Sequence, residues 1–189
     1  MSTGDRPEEI EVKLPASDLG EIRRRLHDQG ATLEKERHEE ANDLYDDEQG
    51  RLFGAGCALR LRRVAGESRL TFKGPSRFER GIRTREERET TIGDPTEAEA
   101  ILERLGLSRR FRYEKRREEW RIHGCAVALD ETPIGDFVEI EGDPAAIRRA
   151  VASLALDFAS AIPYSYAHLY ALKRQENPGL PRDMVFVPR

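Results

Sequence analysis

Apolar positions recur along this chain with two periods, about 3.6 and about 2, and each change of period marks a change of element. In Glu9-Ile10-Glu11-Val12-Lys13-Leu14 charged and aliphatic residues alternate. Leu59-Arg60-Leu61-Arg62, Arg69-Leu70-Thr71-Phe72-Lys73 and Val138-Glu139-Ile140-Glu141 repeat the alternation. Lys115, Arg117 and Glu119 alternate with Glu118 and Trp120, and Arg83, Arg85, Glu87 and Glu89 share one face of a more polar run. Asp130 falls on the face opposite Val127 and Leu129. Together these runs predict strands near 9–14, 35–45, 57–63, 69–73, 82–91, 111–122, 126–131 and 136–142. The longer period carries Leu19, Ile22 and Leu26 behind a Ser17 cap, predicting a helix over 17–29 ended by Gly30. Asp94-Pro95 with Glu97 starts another over 95–105, and Asp143-Pro144 repeats that start for one over 145–158. A last helix is predicted over 164–174, after Pro163.

The alternation has an unusual sense, because charges rather than neutral polar residues form its regular face. Any single strand of this kind reads more simply as part of a half-buried sheet with a solvated outer surface. Seven such segments are harder to dismiss, since helices with apolar stripes are available to cover the opposite face. A sheet with its apolar face turned outward to helices, curled until it closes, puts its charges in the lumen, and about eight strands suffice to hold one small ligand. The element order also repeats: strand, helix and three strands, then the same again. Each half opens on an acidic pair, Glu9/Glu11 and Glu87/Glu89. The expected fold is therefore α+β, a closed eight-stranded antiparallel barrel with a pseudo-twofold axis. One domain over 1–175 and an extended or disordered tail over 176–189 complete the expected organisation.

Composition narrows the partners. Hydrophobic residues make up 38% of the 189, charged residues 36% and aromatics 7%, with a net charge of −4. That balance argues against wholesale binding to nucleic acid or to an anionic membrane. The first ten residues have no apolar leader, and the most apolar stretch, Ala150 to Ile162, is broken by Asp157 and too short to cross a bilayer, so a cytoplasmic protein is expected. Cys57 and Cys125 form no CxxC and read as reduced thiols packed on strands. His27, His38, His123 and His168 are scattered, with none of the spacings that mark histidine metal sites, which argues against such chemistry.

The inward face then collects eight acids, Glu9, Glu11, Glu87, Glu89, Glu119, Asp130, Glu139 and Glu141, and eight bases, Lys13, Arg60, Arg62, Lys73, Arg83, Arg85, Lys115 and Arg117. Burying this many ions merely to pair them is a poor route to stability, since desolvation costs several kcal/mol per ion. A ligand-filled site is the better account. Arginine offers a planar fork matched to phosphate oxygens and lysine a compact point charge, so together they suit a polyphosphate. Three of the chain's five lysines fall on this face. Carboxylates two apart on a strand point the same way and can offer oxygens to a hard divalent cation, for which Mg2+ or Mn2+ fits best.

Glu9-Ile10-Glu11-Val12-Lys13 resembles the ExExK signature of the CYTH superfamily, the triphosphate tunnel metalloenzymes that include class IV adenylyl cyclases and thiamine triphosphatases. The resemblance continues in order through Leu59–Arg62, Leu70–Gly74, Arg85–Glu89, Lys115–Arg117, Leu129-Asp130 and Gly135–Glu141. It implies an eight-stranded tunnel in which Lys13, Arg60, Arg62, Lys73 and Arg117 hold a triphosphate while Glu9, Glu11, Asp130, Glu139 and Glu141 bind one or two metals. It implies catalytic parts for Glu9, Glu11, Lys13 and Glu139, and substrate contacts from Arg85 and Lys115. Tyr166 resembles a tyrosine near the tunnel mouth, with helix packing as an equal reading. The implied activity is metal-dependent hydrolysis of a small-molecule triphosphate. Cyclisation of ATP and a non-catalytic nucleotide or polyphosphate sensor stay open, as does a homodimer. Asp43-Leu44-Tyr45-Asp46-Asp47 resembles a segment of hydrolytic members and tips the balance toward hydrolysis.

Overall fold

The structure, a computed structural model, describes residues 8–64 and 66–187. Residues 1–7, on which the expectation about a leader falls, and the last two residues of the tail lie outside them. The described strands are β1 (Glu8–Ala16), β2 (Thr32–Asp46), β3 (Ala58–Val64), β4 (Glu67–Lys73), β5 (Arg77–Glu79), β6 (Ile82–Ile92), β7 (Ser108–Ile122), β8 (Cys125–Thr132) and β9 (Gly135–Glu141). They form one antiparallel sheet in the order β1-β9-β8-β7-β2-β3-β4-β6-β5, and β1 also pairs with β6. That last pairing closes eight strands into a barrel and leaves β5 as a short arm on β6. Exchanging β1 with β6, β2 with β7, β3 with β8 and β4 with β9 returns the same ring, so the strand order has the twofold character expected from the repeat.

Among the described residues five α-helices accompany the barrel: α1 (Leu19–Asp28), α2 (Arg51–Gly54), α3 (Pro95–Arg104), α4 (Pro144–Ser153) and α5 (Tyr166–Glu176). Val12, Leu14, Val127, Leu129, Val138 and Ile140 turn outward and are buried beneath Leu19, Ile22 and Leu26 of α1, Ile147 and Val151 of α4, and Leu154 at the C-cap of α4. Each such side chain contributes about 1.5–3 kcal/mol when fully buried. The largest apolar core thus lies outside the barrel, which leaves the interior to charge. Trp120 belongs to this outer core, and its indole N–H donates to Glu118 at 2.6 Å, so the buried ring brings no unpaired donor with it. No described helix is long and apolar enough to cross a membrane.

Local chemistry explains where the elements begin and end. Asp94 accepts from the N–H groups of Thr96 and Glu97, and Asp143 from that of Ala145, each beside a proline in the first turn. The cap of α1 is Asp18 rather than Ser17, because β1 runs on to Ala16 and the turn is correspondingly short. Helix α4 stops at Ser153, short of the expected 158: Ala155 adopts φ 49° and the N–H of Leu156 returns to the carbonyl of Val151, so the helix closes early. Phe158 falls instead in a separate 3-10 turn over Phe158–Ser160. Helix α2 and strand β5 are too short to carry a period and have no counterpart in the sequence reading. Both cysteines are free thiols, Cys125 buried on β8 and Cys57 half-buried just before β3. Beyond α5 the chain returns as a strap: Met184 exchanges backbone hydrogen bonds with Arg112 and Glu114 of β7, and the Tyr170 hydroxyl donates to the carbonyls of Pro181 and Asp183.

Candidate active site

The lumen is a cavity of about 320 Å3. Every charged residue that alternation assigned to the inner face lines it except Asp130, which sits just behind the wall, fully buried. Strand register decides who meets whom. Across the β1/β9 pair Glu11 lies opposite Glu141 and Lys13 opposite Glu139; across β1/β6 Glu9 lies opposite Arg85 and Glu11 opposite Arg83. Across β4/β6 Lys73 faces Glu87. The carboxylates of β1 and β9 thereby form one acidic edge, and Arg60, Arg62, Arg69 and Lys73 of β3 and β4 form a basic wall.

Most of these ions are paired. Lys73 bridges Glu9 and Glu87 at 2.8 Å each, and Arg85 reaches Glu9 at 2.7 Å. Arg83 holds Glu11, and Lys13 lies 3.2 Å from Glu139. Arg117 binds Asp130 through two nitrogens at 2.7 and 2.6 Å and also holds Glu139. Tyr166, the first residue of α5, lines the lumen, donates its hydroxyl to Asp130 at 2.7 Å and spreads its ring 3.7 Å from the Lys13 ammonium.

The pairing splits the proton affinities of the acids. Burial raises Glu9 and Glu139, yet Lys73 and Arg85 beside the first, and Lys13 and Arg117 beside the second, hold both well below the usual range. Lys13 itself is lowered, because burial outweighs the attraction of Glu139. Glu141 behaves oppositely. Exposed at the rim but desolvated on its inner side, and facing Glu9, Glu11 and Glu87, its carboxyl is pushed up to about 7. Desolvation and the neighbouring acids, rather than a base, thus dominate at Glu141.

Other groups are only loosely held. Arg60 touches Tyr113 and Glu89 at 3.5 Å and Thr71 at 3.2 Å, and Arg62 touches Glu40 at 3.5 Å and Glu89 at 3.2 Å. The Nε–H of each is buried without a partner. Tyr113, inside the lumen, would be raised by burial, but Arg60 and Lys115 bring it below its ordinary value.

Tyr113 and Arg69 were not assigned to the lumen by sequence, nor were His38, Glu40 and Asn42. On β2 the pairing register with β7 slips between Lys35 and His38. That bulge shifts the strand's phase, so no simple alternation runs along it. Arg69 does carry the signal, since it shares the parity of Lys73. The acids of 43–47 face other work. Asp43 points outward to Arg63 and Arg112, Asp46 accepts from the N–H groups of Leu52 and Phe53 at the start of α2, and Asp47 holds Arg51. Of that segment Leu44 lines the tunnel.

A second, more apolar cavity of about 670 Å3 adjoins the first, sharing Leu44, Ala58, Arg85 and Ala167 with it. Phe53, Phe111 and His168 contribute its aromatic surface.

The pattern that defines the CYTH domain matches residues 7–160. A comparison with curated proteins found no match. Among solved structures, a Vibrio parahaemolyticus protein regarded as a candidate adenylate cyclase superposes with a TM-score of 0.77 at 22% identity, covering 88% of this chain and 99% of its own. A Pyrococcus horikoshii protein is 31% identical, with a TM-score of 0.68 and coverages of 88% and 99%. A candidate adenylyl cyclase from Hippeastrum, described as having a dominant triphosphatase activity, has a TM-score of 0.64 at 21% identity, with coverages of 92% and 98%.

Proposed function

Because the chain belongs to the CYTH domain family, we propose that its tunnel binds a small-molecule triphosphate and hydrolyses it with the help of a divalent cation. The observation that carries this reading is the pair Arg60 and Arg62, whose buried Nε–H groups have no acceptor in a lumen lined with further bases. A buried, unpaired donor costs about 1–3 kcal/mol or more, and a phosphate oxygen removes that cost. Arg60, Arg62, Lys73, Arg85, Lys115 and Arg117 are the clamp, and Lys13 lies between it and the acidic edge.

Glu9, Glu11, Glu139 and Glu141, with Asp130 behind them, are the residues that would hold the cation, and the elevated Glu141 supports that fit. When bound, Mg2+ or Mn2+ supplies charge neutralisation and lowers the pKa of a coordinated water. The protein's own contribution is an exchange of partners. Without ligand, bases and acids neutralise one another. As the bases turn to phosphate oxygens, the carboxylates they leave are freed for the cation, so much of the desolvation has already been met in folding. Tyr166 and Lys13 cover one side of the lumen and limit the water that reaches the phosphates. In the reaction, a water oxygen bonds to the terminal phosphorus as the bridging P–O bond breaks, releasing orthophosphate and a diphosphate.

The adjoining apolar cavity favours an organic triphosphate, and it gives a second reading its footing. In that reading the cavity seats a nucleoside whose ribose hydroxyl attacks the alpha phosphorus and expels pyrophosphate. Incubation with tripolyphosphate, thiamine triphosphate and ATP, each with Mg2+ or Mn2+, separates the two. Orthophosphate release supports hydrolysis, cyclic AMP with pyrophosphate replaces it by cyclisation, and binding without turnover leaves a sensor. Turnover that persists in excess chelator refutes the metal requirement.

A further inference from the structure

The seam between β2 and β7 lies diametrically across the ring from the seam between β1 and β6. There His38 and Glu40 of β2 meet Glu119 of β7, with one ligand-type atom from each within 4.8 Å of the others. The β-bulge beside His38 is what brings this residue to the inner face.

The imidazole has a defined polarity. Its Nδ1 lies 2.8 Å from the carbonyl oxygen of Glu36, which can only accept, so Nδ1 carries a proton. In the neutral ring the lone pair then sits on Nε2. That atom is buried, has no hydrogen-bond partner, and faces Glu40 Oε1 at 3.5 Å and Glu119 Oε1 at 3.6 Å. Three electron-pair donors thus converge with nothing between them. Glu40 adds an independent sign: it is only 2% exposed, and its Oε2 also has no hydrogen-bond partner.

The surrounding cations do not close this gap. Lys115 stands 3.5 Å from Glu40 but nearer to Asp130, at 3.2 Å. Arg62 stands 3.5 Å from Glu40 but nearer to Glu89, at 3.2 Å. Lys35 is 3.8 Å from Glu119. Separations of 3.5–3.6 Å are long for hydrogen bonds. They match the roughly 3.4 Å expected between two ligands that each lie about 2.1 Å from a shared tetrahedral ion.

We propose that His38, Glu40 and Glu119 form a binding site for a divalent transition-metal ion, distinct from the carboxylate edge of β1 and β9. One imidazole nitrogen and two carboxylate oxygens favour Mn2+ or Zn2+ over Mg2+, which takes oxygen ligands almost exclusively. Of the three residues, Glu119 also lines the lumen. The site goes beyond the hydrolytic reading and holds whatever the tunnel turns over.

The test uses the full-length protein loaded with Mn2+ alone and examined by pulsed EPR, which detects a nitrogen nucleus bound to the ion. A nitrogen modulation in the wild type, absent from a His38→Gln variant that keeps its circular dichroism spectrum, is the expected result. Glu119→Gln should weaken the same signal, whereas Glu11→Gln, on the opposite edge, should keep it. No nitrogen modulation in the wild type, or its survival in His38→Gln, overturns the proposal. So does 15N NMR showing both His38 nitrogens protonated at neutral pH and unmoved by Zn2+, because a proton then occupies the gap.

Discussion

Glu40 and Asp43 lie three positions apart on β2, both buried, on opposite faces of the same sheet. Asp43, on the outside, accepts from Arg112 through two nitrogens at 2.7 Å and from Arg63 at 2.5 Å. Glu40, on the inside, has only contacts of 3.5 Å with His38, Arg62 and Lys115, and one oxygen without a hydrogen bond. The next pair along the barrel repeats the contrast: Glu118 faces out and is held by Arg23 and Trp120, while Glu119 faces in and is only approached by Lys35 and His38. At this seam of β2 and β7 the same carboxylate chemistry is closed outside and open inside. Here the closed pairs fix the fold, and the open ones keep capacity for something that arrives later.

The largest test of this contrast lies on the acidic edge. Glu11→Gln or Glu139→Gln, each nearly isosteric, should lower turnover by orders of magnitude in steady-state assays, with a fold intact by circular dichroism. If these glutamates only pair with luminal bases, the variants will lose stability and keep their metal dependence. Asp43→Ala should do the reverse. Breaking a buried pair costs about 3–5 kcal/mol, and the low end applies because Arg63 and Arg112 reach solvent. Denaturant unfolding should therefore show a loss near 3 kcal/mol, with unchanged turnover per folded molecule.

Arg60→Ala combined with Arg62→Ala should weaken triphosphate binding by at least about tenfold, since a charge-assisted contact contributes roughly 1.5–3 kcal/mol. Calorimetry with tripolyphosphate measures it, and unchanged affinity removes both residues from the clamp. The smallest effect is in pH. Glu141 moves from its usual 4.5 to about 7 on folding, so the folded state holds this proton more tightly than the unfolded chain. Its contribution to stability is full below pH 4.5 and is lost as pH rises toward 7. Glu87, also raised, acts in the same direction. Unfolding midpoints in chelator should fall across that window, and Glu141→Gln should flatten part of the fall.

How much of this could be read from sequence depends on how strictly each strand alternates. In β1, β3 and β9 the inward charges alternate with aliphatic residues over Glu9–Leu14, Leu59–Arg62 and Val138–Glu141, so the inner face, and with it the closure, was legible. Strand β2 defeats the same reading because its bulge changes parity between Lys35 and His38, and because its inner positions mix His38, Glu40, Asn42 and Leu44. The histidines looked inert for a related reason: His38 finds Glu119 across a strand pairing, and no spacing within the sequence encodes that. The contacts of Asp43, Asp46 and Asp47 with arginines and helix N–H groups were not legible either, because Asp43 finds Arg63 and Arg112 on neighbouring strands. Asp94 and Asp143 were legible as caps because the whole signal, Asp followed by Pro, is local.

The closing pairing has a consequence for biosynthesis. Strand β1 leaves the ribosome first, yet its partners are β6 and β9, with Glu11 opposite Arg83 on one side and Glu141 on the other. At about 5–20 residues per second, its second edge waits on the order of ten seconds for a mate. A strand of Ile10, Val12 and Leu14 alone would be a hazard over that interval, since exposed edges recruit other chains. The alternating Glu9, Glu11 and Lys13 interrupt it at every second position, as gatekeeping charges do. The residues that later furnish the lumen thus also keep the nascent strand from pairing with the wrong neighbour.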